Sequence, residues 1–398
     1  MIFQSLGSNY TFNDVLQALF GLGSKSDNKK LAKLLAERYG GEVRLFYKGR
    51  EAMAVGLGAL PVKGKKVAIL GFTCYAVYQA VESAGAVAVY IDLPSDSLNF
   101  TVDELQKAYK KHKDIAAVIV QNTLGVPAPI TKIAEFCCKH DVVLVEDLAH
   151  SIGARYSSGE EAGTVGDLVC LSFSRDKVID AISGGALVVR NEKLRTKVGD
   201  VTVRRLSKAL GWRDRIYPLL ATLVRQNYMI GLGKIFHAIF IRLGFMQKAT
   251  DSSAANPAQQ LPAWNARAAL NCYSDLETNL NHRRLIATIY ADNLPVRLLV
   301  GDVEAAVTRG TNLRFPIAVA DRDGLVADLK KFGIHVSDTW YDSPVAPPRH
   351  LSKTNYQTRD CPNAERLCDT IVNLPTHIGV SKMMAKLICE RIEQWQSK

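Results

Sequence analysis

The sequence has no apolar run that approaches the roughly 18 uncharged residues of a membrane span. Its most apolar stretch, Ile216–Met246, is interrupted by Arg225, Lys234 and Arg242. The sequence also has no internal repeat and no low-complexity tract, and its apolar and charged fractions are those of an ordinary globular protein. Disordered and fibrous classes are therefore disfavoured.

The eight cysteines do not have the spacing of metal ligands, since the only close pair is the adjacent Cys137 and Cys138. We therefore expect no metal site. The first residues, Met1–Leu6, have no basic segment that would begin a secretory signal. Reduced thiols and a cytoplasmic protein are the expectation.

Basic residues outnumber acidic ones by 50 to 39, which gives a formal net charge of +11. Such an excess favours an anionic partner. A phosphorylated cofactor, a nucleotide-linked substrate, nucleic acid and a lipid surface all meet this condition, so the charge does not choose among them.

Short apolar runs bounded by turn residues recur along the first half of the chain. They are Val67–Phe72, Ala86–Asp92, Ala116–Asn122, Val142–Asp147, Leu168–Ser174 and Gly185–Arg190. Segments with apolar residues three and four apart, such as Thr101–His112 and Ile130–His140, lie between several of them. This alternation predicts an α/β fold with a mostly parallel sheet sandwiched by helices.

A chain of 398 residues is long enough for two domains. We expect a large domain over residues 1–285 and a smaller C-terminal α+β domain over residues 286–398. The large domain would carry an apolar and basic insert at about 204–247. A polar stretch, Lys248–Gln260, and a long helical segment, Asn265–Asn293, follow that insert.

The predicted strand Val142–Asp147 ends in an acid. An ionised aspartate at a buried strand end needs a basic partner, and a protonated pyridine nitrogen would supply one. Alternatively, Asp147 caps the helix that follows it.

A second polar feature is the segment Leu171–Lys177, which is followed by Gly184 and Gly185. A strand and a turn would present Lys177, and the glycines would permit close backbone approach. A lysine held beside a cationic ring and away from water has a lowered pKa, which favours imine formation. The alternative is a solvated loop lysine.

Two further segments begin helices after a strand. Gly49 precedes a predicted helix over Glu51–Leu60, and the free amides at such a start can bind phosphate. The segment Phe72–Tyr75 would place an aromatic side chain against a flat ring. A helix start without phosphate, and ordinary core packing, explain these segments as well.

Together these segments resemble the DegT/DnrJ/EryC1/StrS family of sugar aminotransferases, which depend on pyridoxal 5'-phosphate (PLP) and have the fold type I of aspartate aminotransferase. The resemblance runs from Tyr47 to Arg190 and resumes at Asn265. The matching motifs are Glu146–His150, Gly153–Tyr156, Gly166-Asp167, Ser172–Lys177, Gly184-Gly185, Cys361–Glu365 and Val372–His377.

The resemblance implies PLP as cofactor and two catalytic residues. Lys177 would hold the cofactor aldehyde as a Schiff base and move protons, and Asp147 would pair with the pyridine nitrogen. His150 would lie near the ring hydroxyl.

For the phosphate, the resemblance implies Ser172 and the backbone amides of Arg50 and Glu51, next to Gly49. The usual Ser-Gly-Thr of this loop is Lys48-Gly49-Arg50 here, so that two cations replace hydroxyl residues.

Three other departures concern the ring and the second subunit. The aromatic residue that usually stacks on the ring falls at Cys74, and Tyr75 is the neighbouring substitute. The acid that usually precedes the paired glycines is Ser183. The Asn-Tyr-Arg segment through which a second subunit completes the site is not recognisable, although the resemblance still implies a homodimer.

The resemblance further implies transfer of an amino group, from glutamate, to a keto group of a nucleotide-linked sugar, in polysaccharide or deoxyaminosugar biosynthesis. Dehydration of a deoxysugar is a second hypothesis, which Lys177 disfavours. A third is a PLP-binding regulatory relative, without catalysis, docked to an envelope polysaccharide assembly system.

The apolar stretch Ile216–Met246 has three interpretations. Pro218 and Gly231–Gly233 predict two short helices. These helices pack on the protein's own core or on a second subunit, or they lie in a membrane interface with their cations against anionic lipid. Nucleic-acid binding is the least favoured, because aliphatic residues dilute the cations.

Overall fold

The computed structural model describes residues 1–199, 201–246, 258–337 and 340–397. The helices are α1 Phe12–Phe20, α2 Lys25–Tyr39, α3 Gly49–Gly58, α4 Tyr75–Ser83, α5 Val102–Lys111, α6 Ile130–Lys139, α7 Glu192–Gly199, α8 Lys208–Gln226, α9 Leu232–Arg242, α10 Ala263–Ser274, α11 Leu276–Asn293, α12 Val303–Arg309, α13 Arg322–Lys331, α14 Pro362–Thr370 and α15 Lys382–Gln396. The strands are β1 Ile2–Phe3, β2 Glu42–Phe46, β3 Lys66–Leu70, β4 Thr73–Cys74, β5 Val87–Ile91, β6 Ile115–Gln121, β7 Val143–Asp147, β8 Leu168–Ser172, β9 Gly185–Val189, β10 Phe315–Ala318, β11 Ile334–His335, β12 Val345–Ala346 and β13 Ile371–Leu374.

The central sheet has the strand order β2-β9-β8-β7-β6-β3-β5. The strands from β8 to β5 run parallel, and β9 runs antiparallel to both of its neighbours. Helices such as α3 and α4 pack beside this sheet, and residues of its inner strands, such as Val67, Ala117 and Leu168, are fully buried. The predicted α/β fold with a mostly parallel sheet is confirmed, and the six predicted strands correspond to β3, β5, β6, β7, β8 and β9.

A second apolar core lies around the antiparallel pair β10 and β13. It joins side chains of α11, α13 and α15, among them Ile286, Leu325 and Ile388. The first strand also contributes, because β1 pairs with β11 and Ile2 is buried in this core. The division of the chain into domains at residues 285 and 286 stays a prediction.

The long helical segment predicted over Asn265–Asn293 is two helices, α10 and α11. The chain leaves helical geometry at Asp275, whose φ and ψ are −100° and 8°. Apolar periodicity continues on both sides of this break, which is why the sequence pattern does not reveal it.

The apolar insert forms two helices, as predicted, but the break is not at Pro218. This proline lies inside α8, which ends at Gln226, and α9 begins after Gly231, whose φ is 82°. Asp214, Tyr217, Ala221 and Val224 of α8 are buried. Residues 247–257, with most of the predicted polar stretch Lys248–Gln260, lie outside the described residues. Within the described ranges, no helix combines the length and apolarity that crossing a membrane requires.

Candidate active site

The site lies where parallel strands of the central sheet end. Asp147 is the last residue of β7, and Ser172 is the last residue of the adjacent β8. The helices α3 and α4 begin near this edge, after β2 and β4. Polar side chains from distant parts of the sequence therefore meet at one edge, as ligand sites in open α/β sheets do.

Lys177 lies in the loop between β8 and β9. Phe173 holds both ends of this loop, because its amide donates to the carbonyl oxygen of Gly184 and its carbonyl accepts the amide of Ala181, both at 2.9 Å. Burial lowers the pKa of Lys177 to about 8, although the nearby Cys74 and Asp147 oppose this shift. The amine is therefore accessible in its neutral form near neutral pH.

Asp147 is buried, and its carboxylate accepts the amide of Ala149 at 2.9 Å. Burial raises the pKa of Asp147, whereas the Ala149 amide and the charge of Lys177 lower it. The preceding acid, Glu146, has a structural role, because it accepts the hydroxyl of Tyr156 and the amide of Gly163, each at 2.6 Å. The two adjacent acids thus differ: protein donors hold Glu146, whereas the charge of Lys177 acts on Asp147.

His150 is buried three residues after Asp147, and its Nδ1 accepts the amide of Leu124 at 3.2 Å. Burial and the charges of Lys177 and Arg314 hold its pKa well below the usual value. The ring is therefore neutral, and because Nδ1 accepts, Nε2 carries the proton. His150 can donate one hydrogen bond from Nε2.

The start of α3 packs against the end of β8. A Cβ atom at Gly49 would lie 2.9 Å from the Cβ of Ser172, and one at Gly185 would lie 2.5 Å from the Cα of Gly49. Only glycine permits this approach, which sets the helix N-terminus beside the Ser172 hydroxyl. A helix N-terminus and a hydroxyl together form a site for an anion.

Two cations reinforce this anion site. The Nζ of Lys48 donates to Ser183 at 2.8 Å, and the guanidinium of Arg50 donates to Gln79 at 2.7 Å. Burial lowers the pKa of Lys48 to about 8, and the nearby charges of Arg175 and Arg50 also lower it. The departures at positions 48 and 183 are therefore one feature, since each side chain is the partner of the other.

The backbone amide and the carboxylate of Glu51 both have partners within the protein. Its amide donates to the carbonyl oxygen of Lys48 at 3.2 Å within the first turn of α3. Its carboxylate accepts the amide of Gln259 at 2.9 Å, and burial raises its pKa to about 7. The side chain of Glu51 therefore holds the chain beyond the insert.

Cys74 and Tyr75, the two positions considered for stacking on the cofactor ring, have different surroundings in the structure. Cys74 precedes α4 and lies near Lys177, whose charge lowers the pKa of its thiol against the larger, opposite effect of burial. The ring of Tyr75 instead stacks on His350, with centroids 4.5 Å apart, and on Tyr78, at 5.8 Å.

The aromatic residue beside the lysine is Trp340, which sequence reasoning missed. Its ring centroid lies 4.4 Å from the Nζ of Lys177, and the ring stacks on His150 at 5.2 Å. The guanidinium of Arg314 lies 5.7 Å from the same ring. No sequence motif marks Trp340 or Arg314, because each is far from Lys177 along the chain and only the fold brings them to it.

The insert also contributes to this site. The carboxylate of Asp214, on α8, accepts the hydroxyl of Tyr47 at 2.7 Å and pairs with Arg175 at 3.5 Å. The guanidinium of Arg175 lies 3.6 Å from the ring centroid of Tyr217. The helix α8 therefore holds the loop that carries Lys177, although Asp214 is absent from the predicted site.

The residues fit PLP by the chemistry of their donors. Ser172, the start of α3 and the cations Lys48 and Arg50 would hold its phosphate. Asp147 would face its ring nitrogen, His150 would donate to its ring oxygen, and Lys177 would bind its aldehyde carbon. These assignments to individual residues stay a prediction.

Comparisons with known proteins agree with this fit. The model of the DegT/DnrJ/EryC1/StrS aminotransferase family matches residues 21–393. A UDP-N-acetyl-3-dehydro-alpha-D-glucosamine 3-aminotransferase of Acidithiobacillus ferrooxidans is 31% identical over 332 residues, which are 82% of this chain and 77% of that protein.

Two solved structures share the fold along nearly the whole chain. A DegT DnrJ EryC1 StrS aminotransferase of Brucella abortus has a TM-score of 0.73 at 22% identity and covers 97% of this chain and 96% of its own. NtdA of Bacillus subtilis, solved with bound cofactor PMP, has a TM-score of 0.73 at 16% identity and covers 100% and 85%. Because the family model spans almost the entire sequence, the chain belongs to the DegT/DnrJ/EryC1/StrS aminotransferase family and is a PLP-dependent aminotransferase.

Proposed function

We propose that the chain moves an amino group from glutamate to a keto group of a nucleotide-linked sugar, in polysaccharide or deoxyaminosugar biosynthesis. The observation that carries the proposal is the position of Lys177, with its lowered pKa, beside Asp147 at the edge of the sheet. The Acidithiobacillus relative is named as an aminotransferase of a UDP-linked sugar, which supports a nucleotide-linked sugar as the substrate class.

The protein's side chains divide the work in this reaction. When bound, PLP supplies an electron sink for the negative charge that develops at the donor carbon. The Nζ of Lys177 accepts and returns the proton, and a pKa of about 8 makes both of its forms accessible. The carboxylate of Asp147 stabilises the positive charge on the ring nitrogen. Trp340 shields the amine of Lys177 from water.

The cations around α3 suit a substrate that carries phosphate. Lys48 and Arg50 stand where the resemblance leads us to expect hydroxyl residues, and the nearby Arg175 is paired with Asp214. The two added cations favour the binding of a further anionic group beside the phosphate of the cofactor. A nucleotide diphosphate would supply that group.

We further propose a cytoplasmic homodimer. All eight cysteines are free thiols, which supports a reducing compartment. Exposed apolar side chains on and after α1 support a second subunit as their cover. They are Phe12, Leu16, Phe20 and Leu22.

A substrate panel tests the proposal. The protein, supplied with PLP and glutamate, should convert at least one nucleotide-linked keto sugar to an amino sugar and release 2-oxoglutarate. Lys177→Ala is the control and should form no product. Absence of turnover with every amino donor would favour the regulatory, non-catalytic alternative, which the presence of both Lys177 and Asp147 disfavours.

A further inference from the structure

The helix α9 is apolar on both of its sides. Phe236 and Phe240 pack inward against the cluster around α8. On the outside, Ile235 and Ile239 keep 55% and 45% of their surface exposed. With their exposed neighbours they form a surface, called the α9 surface below, that comprises Met229, Ile230, Leu232, Ile235, Ile239, Ile241 and Leu243. Several exposed apolar side chains on one surface indicate an interaction site.

The segment that carries the α9 surface is strongly basic. Residues 201–246 contain the basic residues Arg204, Arg205, Lys208, Arg213, Arg215, Arg225, Lys234 and Arg242. The single acid of this segment is Asp214, which is fully buried and paired with Arg175. Lys234 and Arg242 are exposed within the α9 surface itself. Its partner must therefore accept aliphatic side chains and also supply negative charge.

We propose that the α9 surface binds the interface of an anionic membrane, with α9 lying in the plane of that interface. Lipid headgroups supply the negative charge, and the acyl boundary covers the isoleucines. Residues 228–246 contain Lys234 and Arg242 but no carboxylate, so two copies that met through the α9 surface would place like charges in one interface. Charge complementarity thus favours lipid over a second copy.

The dimensions and the flanking residues agree with a helix that lies on a membrane. At about 1.5 Å per residue, the 11 residues of α9 span about 16 Å, which is roughly half of the hydrocarbon core. Trp212 is exposed and contacts Phe245 edge to face, with centroids 6.0 Å apart. Aromatic side chains of this kind favour the headgroup level.

Vesicle flotation of the full chain tests the proposal. The wild type should float with phosphatidylcholine vesicles that contain phosphatidylglycerol, less so as salt is raised, and should not float with phosphatidylcholine alone. Ile235→Glu with Ile239→Glu should abolish flotation. Lys234→Gln with Arg242→Gln should weaken it about thirtyfold, since each basic residue contributes about fivefold near an anionic surface.

A matched control lies on α15, where Met383 and Leu387 are exposed by 77% and 37%. Met383→Glu with Leu387→Glu should float like the wild type. Circular dichroism checks that each variant is folded, and the two glutamine substitutions keep the test decisive if the glutamate pair unfolds.

Two results would overturn the proposal. One is a wild type that remains in the soluble fraction with both kinds of vesicle. The other is flotation that survives both the glutamate pair and the glutamine pair. If the glutamate pair also converts a dimer to a monomer in light scattering while the wild type fails to float, the α9 surface is a subunit interface instead.

Discussion

The Nζ of Lys177 lies 4.4 Å from the ring centroid of Trp340, a residue of the C-terminal part of the chain. The same indole stacks on His150, so one side chain contacts both the amine and the imidazole of the site. The position after β3, where the resemblance leads us to expect an aromatic ring, is Cys74. The aromatic ring of this site is therefore supplied by Trp340, which lies in a different part of the chain.

Trp340→Ala should raise the pKa of Lys177 from about 8 toward the ordinary 10.5, because burial is the largest cause of its lowering. Trp340→Phe, which keeps an aromatic cover, should change it less. The pKa is read from the pH dependence of PLP binding to the apo protein. An unchanged midpoint in the alanine variant would show that the indole does not desolvate the amine.

Lys177 should be the lysine that borohydride links covalently to the cofactor. Lys177→Ala should lose both this adduct and transamination, and peptide mapping by mass spectrometry locates the adduct. Lys48 is the matched control, because burial also lowers its pKa to about 8. Lys48→Met should weaken cofactor affinity but keep the adduct. An adduct on Lys48 or another lysine would contradict the assignment.

The rate at which the apo protein takes up PLP should rise with pH and level off above about pH 9. The neutral amine attacks an aldehyde, and a pKa lowered to about 8 makes half of Lys177 neutral at that pH. Below it, the neutral fraction falls about tenfold per pH unit. Stopped-flow absorbance measures the rate, and a midpoint above pH 10 would contradict the lowered pKa.

Asp147→Asn should keep bound cofactor yet lose most turnover, on the order of several kcal/mol of transition-state stabilisation. The amide keeps the shape of the side chain and an oxygen for the Ala149 amide, but it cannot favour a charged ring nitrogen. Cofactor absorbance and steady-state rates separate the two effects. Near-normal turnover would show that Asp147 only caps the turn that follows it.

The protein should be a homodimer with two-fold symmetry. Phe12→Glu with Phe20→Glu should weaken the dimer, because both side chains are exposed and charge is unfavourable in an apolar interface. Light scattering over a range of concentrations measures the mass, with Met383→Glu as control. A wild type that is monomeric at micromolar concentration and fully active would speak against a shared site.

The sequence by itself determines the sheet and the residues at its edge. Uninterrupted apolar runs predict buried parallel strands, because a strand covered on both faces has no polar side. Such strands end at one edge of the sheet, so the spacing alone places Asp147 and Ser172 near each other. Lys177 follows Ser172 closely in the sequence, so the same spacing places it near this edge.

Only the tertiary structure decides which distant residues join that edge and what covers the insert. Trp340 and Arg314 reach Lys177 through contacts that no local pattern encodes. Lys48 and Ser183, two separate departures in the sequence, become one hydrogen-bonded pair. In the insert, α8 is partly buried and α9 is exposed on its outer side, although α9 is the more apolar of the two helices. Apolar periodicity indicates which side chains avoid water. Which residues cover those side chains depends on the packing of the whole chain.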